Sequence, residues 1–433
     1  MSSPRPRIFY GWVIVLTAAI GLLLGYAPIF VYSFSVFIKS LAQDFHASRT
    51  SISFAFTLAN LMQSVGAPLI GRLVDRFGAN KVIIPSTVLF ALVLISFKYS
   101  STSLWHLYAF FIVIGLIGVG TAPVPYGIVV SRWFDKRRGL ALGLMMLGLS
   151  VGAILLPSIA QRLIVIFGWR NAYAIVGCVV LAVSVPVVGA FLKDSPEKMG
   201  LHPDGILDFK AGSEERKNEQ GMSWSVARTK PTFWFMASAF FLMGASVHAC
   251  VIHLVPMLTD RGISIERAAF ASSLLGVALL IGRVFTGFFL DRFFGPYVAM
   301  LLFIGVAIGI ALLWAGAGGG LTLMAAFLVG LGMGAEADII AYLTSRYFGL
   351  RSFGLIYGFL FATFTLAGAL GPVLMGVGFD HLNSYRAPLL FFLAATLVAT
   401  ALLTRLGPYV YRAGEQTLDA SSIAVSPMHT ELT

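Results

Sequence analysis

The sequence predicts an all-α membrane protein with 12 transmembrane helices in two pseudo-symmetric six-helix bundles. Three observations predict this. The chain is 58% hydrophobic and only 11% charged, whereas a soluble domain is about 45–50% apolar and roughly 25% charged. Its apolar residues fall into repeated runs of about 20, the length that crosses a bilayer as a helix, and not into the short alternating segments of a membrane barrel. Three motifs of the first half return in the same order in the second, at offsets of 214–216 residues.

Arg5 and Arg7 precede the first run, near 10–38, which is too long for a cleaved signal peptide and reads as a retained first span. The second run, near 51–71, holds Asn60, Gln63 and Ser64, polar residues suited to tying helices together. It ends in GRLVDRFGANK, residues 71–81, and a third run follows near 82–101. The fourth, near 105–130, contains Pro123 and Pro125, which loosen a helix where it lines a cavity or bends a gate. In the fifth, near 140–165, Gly143, Gly148 and Gly152 continue a surface begun by Gly139 that lets a neighbour approach closely. The sixth lies near 172–192. A polar stretch, 193–230, reads as a cytoplasmic linker with at most a short amphipathic helix. Six further runs lie near 232–258, 268–290, 297–316, 320–344, 353–378 and 387–407, the eleventh with glycines Gly354, Gly358 and Gly368. The expected division is a six-helix bundle at 1–192, the linker at 193–230, a second bundle at 231–407 and a cytoplasmic tail at 408–433.

The net charge of +11 reads as topology, not as a nucleic-acid surface, because the basic residues flank the apolar runs. With the N-terminus placed in the cytoplasm, 21 of the 30 Lys and Arg fall on the cytoplasmic side and 8 on the outer side. That bias puts both termini inside, in a plasma (inner) membrane. The one basic residue on neither side is Arg283, in the middle of LLGVALLIGRVFTGFFLDRF. Cys178 and Cys250 both lie within apolar runs, so neither a disulfide framework nor a metal site is expected.

The repeat pairs GRLVDRFG at 71–78 with GFFLDRFFG at 287–295, SRWFDKRRGLALG with SRYFGLRSFGLIYG, and Pro157 with Pro372. Both halves start on the cytoplasmic side, so the repeat is parallel, an arrangement that places a binding site near the bilayer midplane between the halves. On these motifs the chain resembles the major facilitator superfamily over nearly its whole length. GRLVDRFGANK is similar to that superfamily's signature loop between spans two and three. YGWVIV, HLVPMLTDRGIS, GRVFTGFFLDRF and GAEADIIAYLTSRYFG resemble its bacterial monocarboxylate and oxalate/formate porter branch. The resemblance implies that Arg283 binds a substrate carboxylate. Oxalate/formate exchangers carry a lysine in span eleven, and YGFLFATFTLAGALGPVLMGVGF has none, which argues against a dicarboxylate. Many animal monocarboxylate transporters have an aspartate one turn before the span-eight arginine; here that residue is Leu279.

Arg283 precedes Asp291, at the cytoplasmic end of its span, by eight residues, roughly 12 Å of depth. A central charge costs about 2.5–3.5 kcal/mol, so a partner or an aqueous cavity is expected. Guanidinium presents parallel donors to a carboxylate; the alternative is a structural ion pair. Glu336 and Asp338 are the only carboxylates well inside a span. Two residues apart on a helix, they point roughly 200° away from each other. They suit proton carriage, or else a fixed bridge to Arg283. His248 and His253 in span seven can titrate or simply pack and anchor. Tyr126, Tyr342, Phe361 and Phe364 are candidates to line a substrate pocket, with core packing as the alternative for each; so is Phe359. Gly71, Asp75, Arg76 and Gly78 form a gating loop, in which Asp75 pairs or caps a helix N-terminus in one conformation and releases it in another.

No nucleotide-binding loop, metal-spaced cluster or nucleophile elbow is present. The expected function is therefore secondary active transport of a small organic anion, lactate- or pyruvate-like, by proton symport, without cofactor, metal or nucleic acid, as a monomer in the lipid bilayer. Organic-anion exchange and export of aromatic acids or drugs are the alternatives. A sensor on the same fold would need a signalling domain for which the linker and tail leave little room.

Overall fold

The computed structural model describes residues 9–47, 49–205, 221–316 and 318–411. Among them are eleven helices long and apolar enough to cross a membrane. One of these, Arg138–Phe191, runs 54 residues. It breaks at Gly168, whose φ of 77° lies in the left-handed region where a side chain would be strained. Spans five and six are the two arms of that break, which makes twelve spans.

Span one is assembled from Gly11–Leu23, a π-helical turn Ala27–Tyr32 and Phe34–Asp44. Spans two and three are Arg49–Phe77 and Asn80–Ser96. Span four joins Leu104–Gly118 to Pro123–Trp133 through a tight turn; Pro123 sits at the first helical position, where its missing N–H costs nothing. Spans seven to twelve are Pro231–Asp260, Ile265–Leu290, Gly295–Trp314, Gly320–Phe348, Phe353–Leu382 and Arg386–Leu403. Several helices outrun the apolar runs by about one turn on the face that carries the 77–80, 133–138, 291–295 and 348–353 turns. Apolar residues mark the part that lipid can touch, while helical hydrogen bonding continues into the polar layer. We call that side the basic face.

The two six-helix halves meet along span two against span eleven and span five against span eight. Glycines set these contacts. A Cβ on Gly71 would run into the Gly354 carbonyl, and one on Gly139 into that of Gly287. At mid-depth Ser64 Oγ and Thr365 Oγ1, 2.8 Å apart, tie spans two and eleven.

The described part of the linker is fastened to both halves. Asp194 accepts from the Asn80 backbone N–H at 2.8 Å and from Lys198 at 2.6 Å, and those bonds hold its carboxyl below the usual range despite burial. Asp204 accepts from the backbone N–H groups of Asp135 and Lys136 at 3.0 and 2.7 Å. On the other side, the Met222 N–H donates to the Phe348 carbonyl at 2.8 Å. A single helical turn, Trp224–Ala227, stacks Trp224 on Phe359 at 4.4 Å. The rest of the expected linker, 206–220, and residues 412–433 of the expected tail lie outside the described residues.

Candidate transport site and gate

Small residues bring span ten against span eight. Cβ atoms on Gly330 and Gly334 would meet the carbonyls of Leu275 and Leu279, and one on Gly282 would lie 2.5 Å from that of Leu331. This close approach sets Arg283 beside the acidic turn of span ten. Arg283 is 5% exposed. Its Nη1 donates to the Met146 carbonyl of span five at 3.2 Å, and its Nε has no protein partner. Gly143, one turn from Met146, packs on the Arg283 carbonyl.

Asp338 and Glu336 are buried, and none of their four carboxylate oxygens has a protein partner. Asp338 lies within electrostatic reach of Arg283. Gly334, one turn earlier, faces span eight, so Asp338 follows the same direction. Gly332 faces Val306 and Met243 of spans nine and seven, and Glu336 follows that side, into its own bundle. The 200° separation thus gives the two acids different neighbourhoods.

Two tyrosines that the sequence reading did not single out also sense Arg283. Tyr32 closes the π-helical turn of span one, and Tyr357 lies on span eleven. Phe361 and Phe364 extend the Tyr357 stripe, with ring centroids 6.0 and then 5.9 Å apart, and Phe364 meets the His248 ring at 5.5 Å. His248 donates from Nδ1 to the Gly244 carbonyl at 2.8 Å. His253 bonds the Pro372 carbonyl through Nε2 and the Tyr385 hydroxyl through Nδ1, an anchor joining spans seven and eleven to the start of span twelve.

The other two candidate tyrosines sit elsewhere. Tyr126 is fully buried inside the first half with its hydroxyl against Gly21 of span one. Tyr342, one turn beyond Asp338 toward the basic face, lies under the Arg346 guanidinium, 5.1 Å from its ring centre.

The basic face is closed by polar contacts across the halves. Asp75 accepts from the N–H groups of Gly354 and Leu355, both at 2.9 Å, at the N-terminus of span eleven. Asp291 accepts from those of Gly139 and Leu140, at 2.7 and 2.9 Å, at the N-terminus of span five. A carboxylate there meets unsatisfied donors and the positive end of the helix dipole. Burial nonetheless pushes the Asp291 carboxyl up to about 6, against the opposing pull of those N–H groups and of Arg346 and Arg138. Arg346 of span ten reaches across to the Asp135 carboxylate at 2.8 Å and its backbone carbonyl at 2.6 Å. Arg138 donates to Ser345 Oγ at 2.8 Å. Gly71 is one of the close-contact glycines, and Gly78 turns the chain with φ 88° beside Asp194. Arg76 is exposed and lies over the Phe77 ring.

These contacts describe halves that meet at a set of capped, glycine-lined seams around a buried charged centre. The model of the family described as Major Facilitator Superfamily matches residues 18–355. The chain belongs to the Major Facilitator Superfamily. This superfamily member is a multi-pass membrane transporter, not an enzyme. It is 26% identical over 419 residues to monocarboxylate transporter 11 of Homo sapiens, covering 93% of this chain and 82% of that one. It is also 26% identical over 261 residues to an uncharacterized MFS-type transporter, YcxA, of Bacillus subtilis, covering 60% of each. Among solved structures, the proton:xylose symporter XylE bound to 6-bromo-6-deoxy-D-glucose superposes with a TM-score of 0.75 at 16% identity, over 93% of this chain and 97% of that one. The fucose transporter FucP in the outward conformation superposes with a TM-score of 0.65 at 19% identity, over 92% and 99%. The two structural likenesses speak to fold alone.

Proposed function

We propose that this transporter carries small monocarboxylates of the lactate and pyruvate kind together with a proton, by alternating access. The observation that carries the reading is the buried Arg283, with an unpartnered Nε, within electrostatic reach of the equally unpartnered Asp338 carboxylate. Relatives named monocarboxylate transporters support the substrate class. The charges explain coupling. Empty, Arg283 and an ionised Asp338 are neutral together. Loaded with one carboxylate, the site keeps the charge it has when empty only if one proton joins it, on Asp338 or on Glu336. A site carrying substrate without a proton would bury a net negative charge when the halves close over it, which the low-dielectric interior opposes. Empty and doubly loaded carriers therefore cross, and singly loaded ones do not.

In this proposal the basic face is cytoplasmic, in a plasma (inner) membrane. Residues 1–192 and 231–407 rock as two bodies in a monomer, with 193–230 as linker and 408–433 as tail. Purified protein in liposomes, given labelled lactate, pyruvate, formate and oxalate with and without an imposed pH gradient, tests it. Accumulation of the monocarboxylates that needs an acidic exterior is expected. Uptake indifferent to the gradient, or selective for oxalate, overturns it. An engineered cysteine near residue 215 labelled from outside intact cells overturns the orientation.

A further inference from the structure

Building on Arg283 as the carboxylate anchor, we propose that Tyr357 reads a second oxygen on the substrate, so that the site prefers 2-hydroxy and 2-oxo monocarboxylates to unsubstituted acids of the same length. Tyr357 is fully buried, and its hydroxyl has no protein partner. Its ring is fixed on three sides. Phe353 and Phe361 contact it at centroid distances of 5.6 and 6.0 Å. A Cβ on Gly127 of span four would lie 3.2 Å from its Cε1, so the opposite half closes on the ring edge.

A buried hydroxyl without an acceptor is unfavourable, and phenylalanine would fill the same space. The chain uses 36 phenylalanines, yet this position keeps the oxygen. Tyr26, Tyr126 and Tyr173 also bury unpartnered hydroxyls. Among these described tyrosines only Tyr357 lies within electrostatic reach of both Arg283 and Asp338.

Three chemically distinct, buried and unpartnered groups on spans eight, eleven and ten thus lie within electrostatic reach of one another: the Arg283 Nε–H, a charged donor; the Tyr357 O–H, a neutral donor; and the Asp338 carboxylate, an acceptor while ionised and a donor when protonated. A carboxylate on Arg283 places the oxygen on its neighbouring carbon one bond away. That oxygen offers the acceptor that the Tyr357 hydroxyl lacks. A 2-hydroxyl group can also give its own proton to Asp338, whereas a 2-oxo group can only accept. An unsubstituted acid leaves the tyrosine hydroxyl orphaned, and sites built to bond a substrate oxygen discriminate against analogues that lack it. Phe361 and Phe364 continue the stripe as an apolar surface for the rest of the acid.

The test is calorimetric titration of the purified, full-length protein with lactate, pyruvate and propionate, in the wild type, Tyr357→Phe and Arg283→Gln. The wild type is expected to favour lactate and pyruvate over propionate by roughly 2–10-fold, the worth of one neutral hydrogen bond. In Tyr357→Phe that ratio should fall toward one, with thermal unfolding reporting that the fold is kept. An unchanged ratio in Tyr357→Phe overturns the proposal. So does a wild type without preference, whatever the variant does. The anchor fails separately, and visibly, if Arg283→Gln binds all three acids as the wild type does.

Discussion

Replacing Arg346 with glutamine should open the basic face. The Arg346 side chain is 4% exposed and its partner Asp135 is 32% exposed. Two bonds cross the halves here, at 2.8 and 2.6 Å. Hydrogen bonds to a charged group contribute about 1.5–3 kcal/mol each, and removing one member of a fully buried pair costs about 3–5 kcal/mol. Asp135 is only partly buried, and after the substitution it keeps Arg138 at 3.4 Å. The loss should therefore be at the lower end, about 2–3 kcal/mol, a roughly 30–150-fold shift of the equilibrium away from closure. A population closed 99 to 1 would become roughly even. Lys136 and Arg351 are exposed on opposite halves of this face. Spin labels at cysteines placed there, in a background lacking Cys178 and Cys250, read the separation directly. Arg346→Gln should add a longer-distance population that Asp135→Asn also produces, with the double variant gaining little more. An unaltered distance distribution in Arg346→Gln would refute the assignment of this pair to the gate.

Other consequences are equally direct. Arg283→Lys keeps the charge but loses the planar fork, so carboxylate affinity should fall at least tenfold by titration while expression is retained; wild-type affinity would rule out bidentate anchoring. Asp338→Asn should abolish accumulation driven by a pH gradient yet permit exchange, and Glu336→Gln distinguishes which acid carries the proton; normal gradient-driven uptake in both variants rejects the coupling scheme. Gly354→Val forces a side chain into the Gly71 carbonyl and the Asp75 carboxylate, and should hold the basic face open by label distance with little loss of folded protein. Closure should also strengthen on acidification. Asp291 titrates at about 6 when closed, against about 3.9 for an exposed aspartate, so the closed state binds the proton more tightly. That preference is complete below about pH 4 and is lost as pH rises through about 6. The closed population should be larger at pH 5 than at pH 7.5, and Asp291→Asn should weaken the dependence.

The spans and the repeat were legible because lipid imposes a simple rule: about 20 apolar residues, then charge. Arg283 was legible for the same reason, as the violation of that rule. Periodicity told that Glu336 and Asp338 diverge, but which one faces Arg283 depends on where Gly332 and Gly334 pack. Tyr357 and Tyr32 were not legible, since a tyrosine in an apolar run looks like any packing aromatic until the charge opposite it is known. The Met146 carbonyl that meets Arg283 is backbone and leaves no mark in sequence at all. Tyr342 lies one turn of rise from Asp338, and its place under Arg346 could not be read from the sequence. The break between spans five and six falls in the gap left between the fifth and sixth apolar runs, where a single glycine, Gly168, turns the chain without a loop.

The seams have the form of an isologous contact, in which residue i touches j and its counterpart j touches i. Asp75 caps at Gly354, and Asp291, 216 residues on, caps at Gly139, 215 residues back. Gly358 packs on the Ala67 carbonyl as Gly143 packs on that of Arg283, 2.5 and 2.6 Å from a built Cβ. Two identical six-helix chains related by a twofold axis would satisfy every one of these contacts. They could not build the charged centre, because the positions equivalent to Arg283 and Asp338 in the first half are Ala67 and Val124. Twofold symmetry thus suffices for the seams, and the chain departs from it at the buried charged centre, where a ligand without twofold symmetry would be held.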